Sequence, residues 1–417
     1  MFGAPSLKSR LASLSAKVNK CVHEASGSLA SPLLPAGAGE KTVAPVLEPG
    51  TARELFCEFA QLFNDADAAQ DANVKEELGK LRPLLRIQLK KKSALLEKAS
   101  MIIRLVLTLV AVLCGALCVL AVSPLRILHW PLRCFVSPGY LPLDLATMAW
   151  ARLIMACAGI TVKVKVSPAE VWEKGRAGII VYNHASNLDA FILMFAGHHA
   201  APKFIGKKIL FEIPIFGWVN LAIGNVPINR GDREKAIRTM NEAVASIMKN
   251  WNRCVAVSPE GTRSRDGHLN LPFKHGIFHL QDQTDAPLLP VSIEGAFELW
   301  PPGRVFTRMG EVTVTALPQQ LPVEGERRLI DARIKLQRSF AESASKEAVQ
   351  VKPLSCIALI TNIFVILLGA AVFAGFYLVF AKLYVCLAVG LGIGKLGVLS
   401  VALAGGAIAT AYVRFVV

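Results

Sequence analysis

Three long uncharged runs constrain this chain more than any other feature. Leu105 to Leu125 and Pro353 to Ala381 contain no Asp, Glu, Lys or Arg, and Leu383 to Val413 contains only Lys395. A helix that crosses a bilayer needs roughly 20 apolar residues, and each run is about that long. Apolar residues make up 53% of the 417, and the mean hydropathy is +0.45. That excess exceeds what a core inside an ordinary soluble domain absorbs, and it is concentrated in these runs. The sequence therefore predicts membrane-embedded helices on both sides of a central region, with the lipid bilayer as a partner.

The formal net charge of +15 suits either nucleic acid or an anionic membrane with an anionic substrate. Position separates the two. Arg82, Arg86, Lys90, Lys91, Lys92 and Lys98 stand just before the first apolar run, and Arg333, Lys335, Arg338, Lys346 and Lys352 just before the second. Cations at such flanks mark the cytosolic side, so no nucleic-acid partner is expected. Both termini and the central region are then expected in the cytosol, which requires residues 101–160 to enter the membrane and return. The nine cysteines include no CxxC pair, and Cys114, Cys118, Cys356 and Cys386 sit inside apolar runs. Neither a disulfide framework nor a zinc site is expected, and no metal site. The first apolar run begins too late for a cleavable secretory signal.

Five regions follow. Residues 1–50 read as a flexible or amphipathic segment, with Leu7, Leu11, Leu14, Val18 and Val22 at helical spacing, suited to a transit peptide or a weakly tethered surface helix. Residues 51–100 read as a basic helical arm leading to the membrane, with Leu55, Phe59, Leu62 and Phe63 on one side. Residues 101–160 read as a membrane-associated hairpin and 353–417 as a carboxyl-terminal transmembrane hairpin. Between them, 161–345 alternates short β-rich runs (Thr161 to Val166, Gly178 to Tyr182, Cys254 to Val257, Val291 to Ile293, Val312 to Thr315) with helical stretches such as Arg233 to Lys249. That alternation predicts an α/β domain, a sheet covered by helices.

Two polar blocks end strands of this domain. In Tyr182-Asn183-His184-Ala185-Ser186-Asn187-Leu188-Asp189, four residues separate His184 from Asp189, so the carboxylate can fold back and fix one imidazole nitrogen. Such a pair can activate a hydroxyl. The spacing equally suits Asp189 as a first-turn helix residue beside a packed histidine. In Ser258-Pro259-Glu260-Gly261-Thr262-Arg263, Gly permits a tight turn and Arg offers a planar fork for a phosphate, although the run also reads as a charged surface turn. Both blocks lie where ligands collect in open α/β sheets.

The blocks continue in order. HxxxxD is followed by Gly206-Lys207-Lys208, Ile213-Pro214-Ile215-Phe216-Gly217, Pro227-Ile228-Asn229-Arg230, PEGTR, Pro272-Phe273-Lys274-His275-Gly276 and Leu289-Pro290-Val291. This series resembles the lysophosphatidic acid acyltransferase (1-acylglycerol-3-phosphate acyltransferase) family of glycerolipid acyltransferases over roughly residues 175 to 320. The resemblance implies the glycerolipid-acyltransferase fold, with His184 as catalytic base and Asp189 as its orienting partner. It implies substrate binding by Glu260, Gly261, Thr262 and Arg263, with Lys207 and Arg230 as further contacts to the acceptor's phosphate or to CoA. The implied reaction moves a fatty acyl group from acyl-CoA directly to lysophosphatidic acid, giving phosphatidic acid, without an acyl-enzyme and without a cofactor, at a membrane such as the endoplasmic reticulum or a mitochondrial or plastid membrane. Asn229 stands where many relatives carry an acid, and Ser258 where an aromatic is common; both bear on acceptor choice.

Glycerol 3-phosphate or another lysophospholipid remains an alternative acceptor, and a catalytically idle lipid-binding scaffold is the alternative from another class. Gly390-Leu391-Gly392-Ile393-Gly394-Lys395 lacks the Ser or Thr of a phosphate loop and reads as close helix packing. His275 and His279 lack a third ligand and read as structural.

Overall fold

Short Val- and Ile-rich strands set the frame that carries the polar blocks. The computed structural model describes residues 6–26, 47, 49–85, 95–123, 142–172, 177–196, 202–229, 231, 233–325 and 327–344. Arg230, most of the 25–50 linker, the Arg86 to Lys92 cluster, the apolar pair from Pro353 to Val413 and the Gly390 to Lys395 run lie outside the described residues. Among the described residues, β1 (Ile160–Val166), β2 (Ile179–Tyr182), β3 (Lys203–Lys207), β4 (Val226–Ile228), β5 (Val255–Val257), β6 (Leu288–Glu294) and β7 (Gly310–Ala316) form a sheet in the order β1-β7-β6-β2-β5-β3-β4. The strands from β6 to β4 are mutually parallel. β7 pairs antiparallel with β6 and parallel with β1, so the β1/β7 edge runs the other way. The fold is α/β with a mixed sheet. β3 and β4 were not expected from the sequence as strands: they are short and carry Lys, Gly and Pro rather than an apolar alternation.

The central strand β2 is buried on both faces, and its alternation divides two cores. Ile180 and Tyr182 join Ile154 and Met155 of α5 (Pro142–Ala158) and Ile192 and Leu193 of α6 (Asp189–Ala196). Ile179 and Val181 face Val244 and Ile247 of α9 (Arg233–Trp251), Phe278 and Leu280 of α10 (Gly276–Thr284), and Leu336 and Phe340 of α11 (Arg328–Ser343).

Outside α5 lies α4 (Leu95–Val122). Its stretch Ser100–Leu120 has a mean hydropathy of 2.7 and is, among the described residues, the helix long and apolar enough to cross a membrane. The described residues thus hold one such helix, on the amino-terminal side. Arg104 lies beside Gly159 and Gly115 beside Trp150, so α4 and α5 pack antiparallel. Their contact is close: a Cβ added at Gly115 would lie 1.9 Å from Trp150 Cδ1, and Trp150 Nε1 donates to Ala111 O at 3.2 Å. The buried face of α4 carries polar residues in its first half and the apolar Ala111, Ala116 and Val119 in its second, and its outward face is apolar. Ser100, Arg104 and Thr108 are buried against the protein, while Ile102, Ile103, Val106, Leu109, Val110, Leu113 and Leu117 point outward.

The amino-terminal helices dock on the α/β domain. Leu14 and Val18 of α1 (Leu7–Ser26) are buried against α2 (Pro49–Ala68), helped by Arg10–Asp65 at 2.7 Å and Lys17–Glu58 at 2.8 Å. The sequence assigned α2 one apolar side, but a second side is buried too. Asn64 and Asp67 meet Gln337 at 3.0 Å and Arg333 at 2.8 Å on α11. After α3 (Ala72–Leu81), capped by Asp71 on Val74 N at 3.0 Å, the 3-10 turn Arg82–Leu85 lies against the loop that follows PEGTR.

Candidate active site

The parallel strands deliver their loops to one edge. β2 ends at Tyr182, and the chain turns through His184 before α6 starts at Asp189. Asp189 Oδ2 accepts from Ala185 N and Ser186 N at 2.9 Å each, and lies 2.7 Å from His184 Nδ1. A carboxylate only accepts, so Nδ1 carries the hydrogen and Nε2 is left to receive a proton. Asp189 is 1% exposed and the imidazole 29% exposed, which shields the pair's anchor while leaving the ring reachable. Both readings of the spacing hold together: Asp189 is the first residue of a helix and also the partner of His184. The loop is tied down further by Asn183, which exchanges hydrogen bonds with Ile293 of β6 at 2.7 Å, and by Ser186 Oγ, which donates to Trp300 O at 2.7 Å.

β5 delivers the second block beside the first. Glu260, expected to bind substrate, is 2% exposed, and its carboxylate serves the backbone. Oε1 accepts from His184 N at 2.7 Å and Oε2 from Asn270 N at 2.8 Å. Burial pushes its carboxyl up to about 8, against the pull of those hydrogen bonds. Gly261 has φ +70°, which favours glycine, and an added Cβ would stand 3.3 Å from Lys274 Cγ. Gly261, Thr262 and Arg263 are exposed, and Arg263 Nη1 donates to Asn187 Oδ1, joining the two blocks. Lys207, exposed at the end of β3 before the short α7 (Lys208–Glu212), is on the same edge. Its strand is two positions from β2, which places it about 10 Å along the sheet from the dyad's strand.

Sequence reasoning missed Asn187, Asn270 and Trp300. Asn187 was in view, inside the HxxxxD block; the other two act through loop paths that no spacing encodes. Arg333 Nη1 donates to His275 Nε2 at 2.9 Å, so this histidine serves as a packing partner. Among the described residues no group of three or more His, Cys, Asp or Glu is placed to hold a metal ion.

The arrangement can do specific chemistry: an oriented imidazole takes a proton from a hydroxyl while an exposed guanidinium beside it attracts an anionic group. Comparison with known proteins agrees in kind. Residues 163–294 match the family model described as Acyltransferase. A 1-acyl-sn-glycerol-3-phosphate acyltransferase of Limnanthes douglasii is 36% identical over 166 residues, which are 40% of this chain and 57% of that protein. An uncharacterized acyltransferase of Schizosaccharomyces pombe is 32% identical over 192 residues, 45% of this chain and 67% of that protein. A crystal structure of the 1-acyl-sn-glycerophosphate acyltransferase PlsC from Thermotoga maritima superposes with a TM-score of 0.49 at 24% identity, covering 60% of this chain and 98% of that one. The chain thus spans little more than half of the Limnanthes protein, and the matched stretch is the one that carries the blocks. The chain belongs to the acyltransferase family that the family model describes, and its relatives include proteins named as 1-acyl-sn-glycerol-3-phosphate acyltransferases.

Proposed function

We propose that this protein transfers a fatty acyl group from acyl-CoA to the free hydroxyl of lysophosphatidic acid, giving phosphatidic acid. The observation that carries the reading is the His184–Asp189 pair, 2.7 Å apart and pinned by two backbone N–H groups, beside the exposed Arg263. His184 Nε2 takes the hydroxyl proton as the oxygen attacks the thioester carbonyl, and Asp189 stabilises the imidazolium. The tetrahedral intermediate then collapses with cleavage of the C–S bond. The proton passes to the CoA sulfur, restoring neutral His184. Acyl-CoA is a substrate here, and the steps call on no metal or prosthetic group. Arg263, with Lys207 and Arg230 as further candidates, supplies charge for the acceptor's phosphate or for CoA.

The enzyme works at a membrane in this reading. The outward face of α4 exposes a run of large apolar side chains, the reverse of the polar outer face of a helix on a soluble protein. Acceptor and product are lipids, so a lipid-facing helix beside the domain puts the site within their reach. We place the catalytic domain on the cytosolic side, where acyl-CoA is available, with the endoplasmic reticulum as the first membrane to examine.

The test is transfer of a labelled acyl group by the purified full chain to a panel of lysophosphatidic acid, glycerol 3-phosphate and other lysophospholipids. Preference for lysophosphatidic acid is the expected result. Preference for another acceptor would reassign the substrate, and no transfer to any acceptor would overturn the reading.

A further inference from the structure

We propose that Arg82 is a positioning residue for the transfer, acting from the amino-terminal arm through the loop 264–270 and Glu260 on the backbone of His184. The inference rests on His184 as the base, but the residue it assigns lies outside the segment that the family model matches. Residues 163–294 match the family model, and Arg82 precedes them.

The arm grips this loop at several points. Arg82 Nε donates to Asp266 Oδ2 at 3.1 Å, and Nη2 donates to Leu269 O at 2.9 Å and Asn270 Oδ1 at 3.2 Å. Between those contacts His268 stacks on Phe56 of α2, ring centroids 4.1 Å apart and 10° from parallel, and its Nε2 donates to Leu85 O at 2.6 Å. Burial brings the His268 imidazole down to about 4, against the pull of Asp266 and of the bond to Leu85 O. Asp266 organises the loop from inside: Oδ1 accepts from Ser264 Oγ at 2.9 Å and His268 N at 3.1 Å. Burial pushes its carboxyl up, but the Arg82 guanidinium and the hydrogen bonds from His268 N and Ser264 hold it below the usual carboxylate range.

The loop in turn holds both backbone polar groups of His184. Ser264 N donates to His184 O at 2.7 Å. Asn270 N fixes Glu260 Oε2 at 2.8 Å, and Glu260 Oε1 receives His184 N at 2.7 Å. The arm's guanidinium therefore braces a loop whose two ends bracket the base. An exposed ion pair would contribute little, but Arg82 and Asp266 side chains are only 22% and 20% exposed, and three donors in a rigid fork define the loop's path. A misplacement of about 1 Å in a reacting group can cost about 10²-fold in rate. Loss of the brace is therefore expected in kcat, because Arg82 acts on the position of the base through the loop backbone.

The test uses purified full-length protein and four forms: wild type, Arg82→Ala, Arg82→Lys and His184→Ala. Arg82→Ala should lose about 10- to 100-fold in kcat with both KM values within about threefold of wild type. Millimolar methylguanidinium should restore part of that rate by filling the vacated site. Hydrogen exchange provides a readout that does not depend on the chemistry: the amides of His184 and Asn270 should exchange faster in Arg82→Ala. Should Arg82→Ala fail to fold, Arg82→Lys carries the test, since it keeps a charge near Asp266 and loses the fork. A kcat within twofold of wild type and unchanged amide protection in the folded variant would overturn the proposal, as would a loss confined to KM. Full activity in His184→Ala would instead remove the assignment of the base, and the exchange measurement would still decide whether the arm braces its backbone.

Discussion

Nδ1 of His184 lies 2.7 Å from Oδ2 of Asp189, and that same oxygen accepts the backbone N–H groups of Ala185 and Ser186. One carboxylate oxygen thereby sets both the path of the loop and the orientation of the imidazole. Because the dyad and its loop are one hydrogen-bonded unit, a side chain that keeps the shape but changes the charge separates the two roles.

Asp189→Asn is that change. Its amide oxygen can still accept from the Ala185 and Ser186 backbone, but it no longer stabilises a protonated His184. The expected loss in kcat is about 10²- to 10⁴-fold, with modest change in KM and in melting temperature. Steady-state kinetics together with thermal unfolding in the same detergent measure it; a kcat equal to wild type would show that Asp189 serves only the fold.

Arg263→Lys keeps the charge and loses the planar fork, together with its geometry toward Asn187. KM for a phosphate-bearing acceptor should rise more than KM for acyl-CoA. A rise confined to acyl-CoA would move Arg263 to the donor side of the site.

Glu260 gives a signed pH dependence. Burial raises its folded-state carboxyl from about 4.5 to about 8, so the folded protein holds the proton more tightly than the unfolded chain. Its contribution to stability is fully present below about pH 4.5 and is lost as pH rises through about 8. Glu260→Gln does not titrate and turns an amide N–H toward a backbone donor, which costs about 1–3 kcal/mol. The variant should therefore be the less stable at pH 5, with the gap narrowing toward pH 8.5. Thermal unfolding across this range checks it, and a constant gap would remove the assignment.

Membrane sidedness is measured separately. In sealed microsomes an epitope within the catalytic domain should be cut by added protease without detergent, as expected for a cytosolic domain behind basic flanks. Protection until detergent is added would reverse the orientation.

The dyad is legible in the sequence because His184 and Asp189 belong to one short loop, where spacing alone brings side chains together. The α/β class is legible for a similar reason: β2 and β7 carry enough Val, Ile and Thr to announce strands. β3 and β4 are held by pairing with neighbours, so Gly206-Lys207-Lys208 reads as a basic stretch, and the end of β3 shows only when the sheet is assembled. The role of the arm was hidden by chemistry. Asn64 and Asp67 look like a solvated face because nothing local shows Gln337 and Arg333 waiting on α11. The reach of Arg82 to Asp266 spans 184 residues of sequence, a separation over which no local pattern operates. Glu260 illustrates the remaining gap: its motif drew attention to the residue, but only the backbone path shows that its carboxylate faces His184 N and Asn270 N.

Turnover of lysophosphatidic acid and labelled acyl-CoA by purified His184→Ala beside wild type decides whether His184 is the base. General-base assistance is worth about 10²- to 10⁴-fold, so the variant should lose at least that much in kcat while keeping its fold and its partition into membranes. Turnover at the wild-type rate by a folded His184→Ala protein would contradict the account.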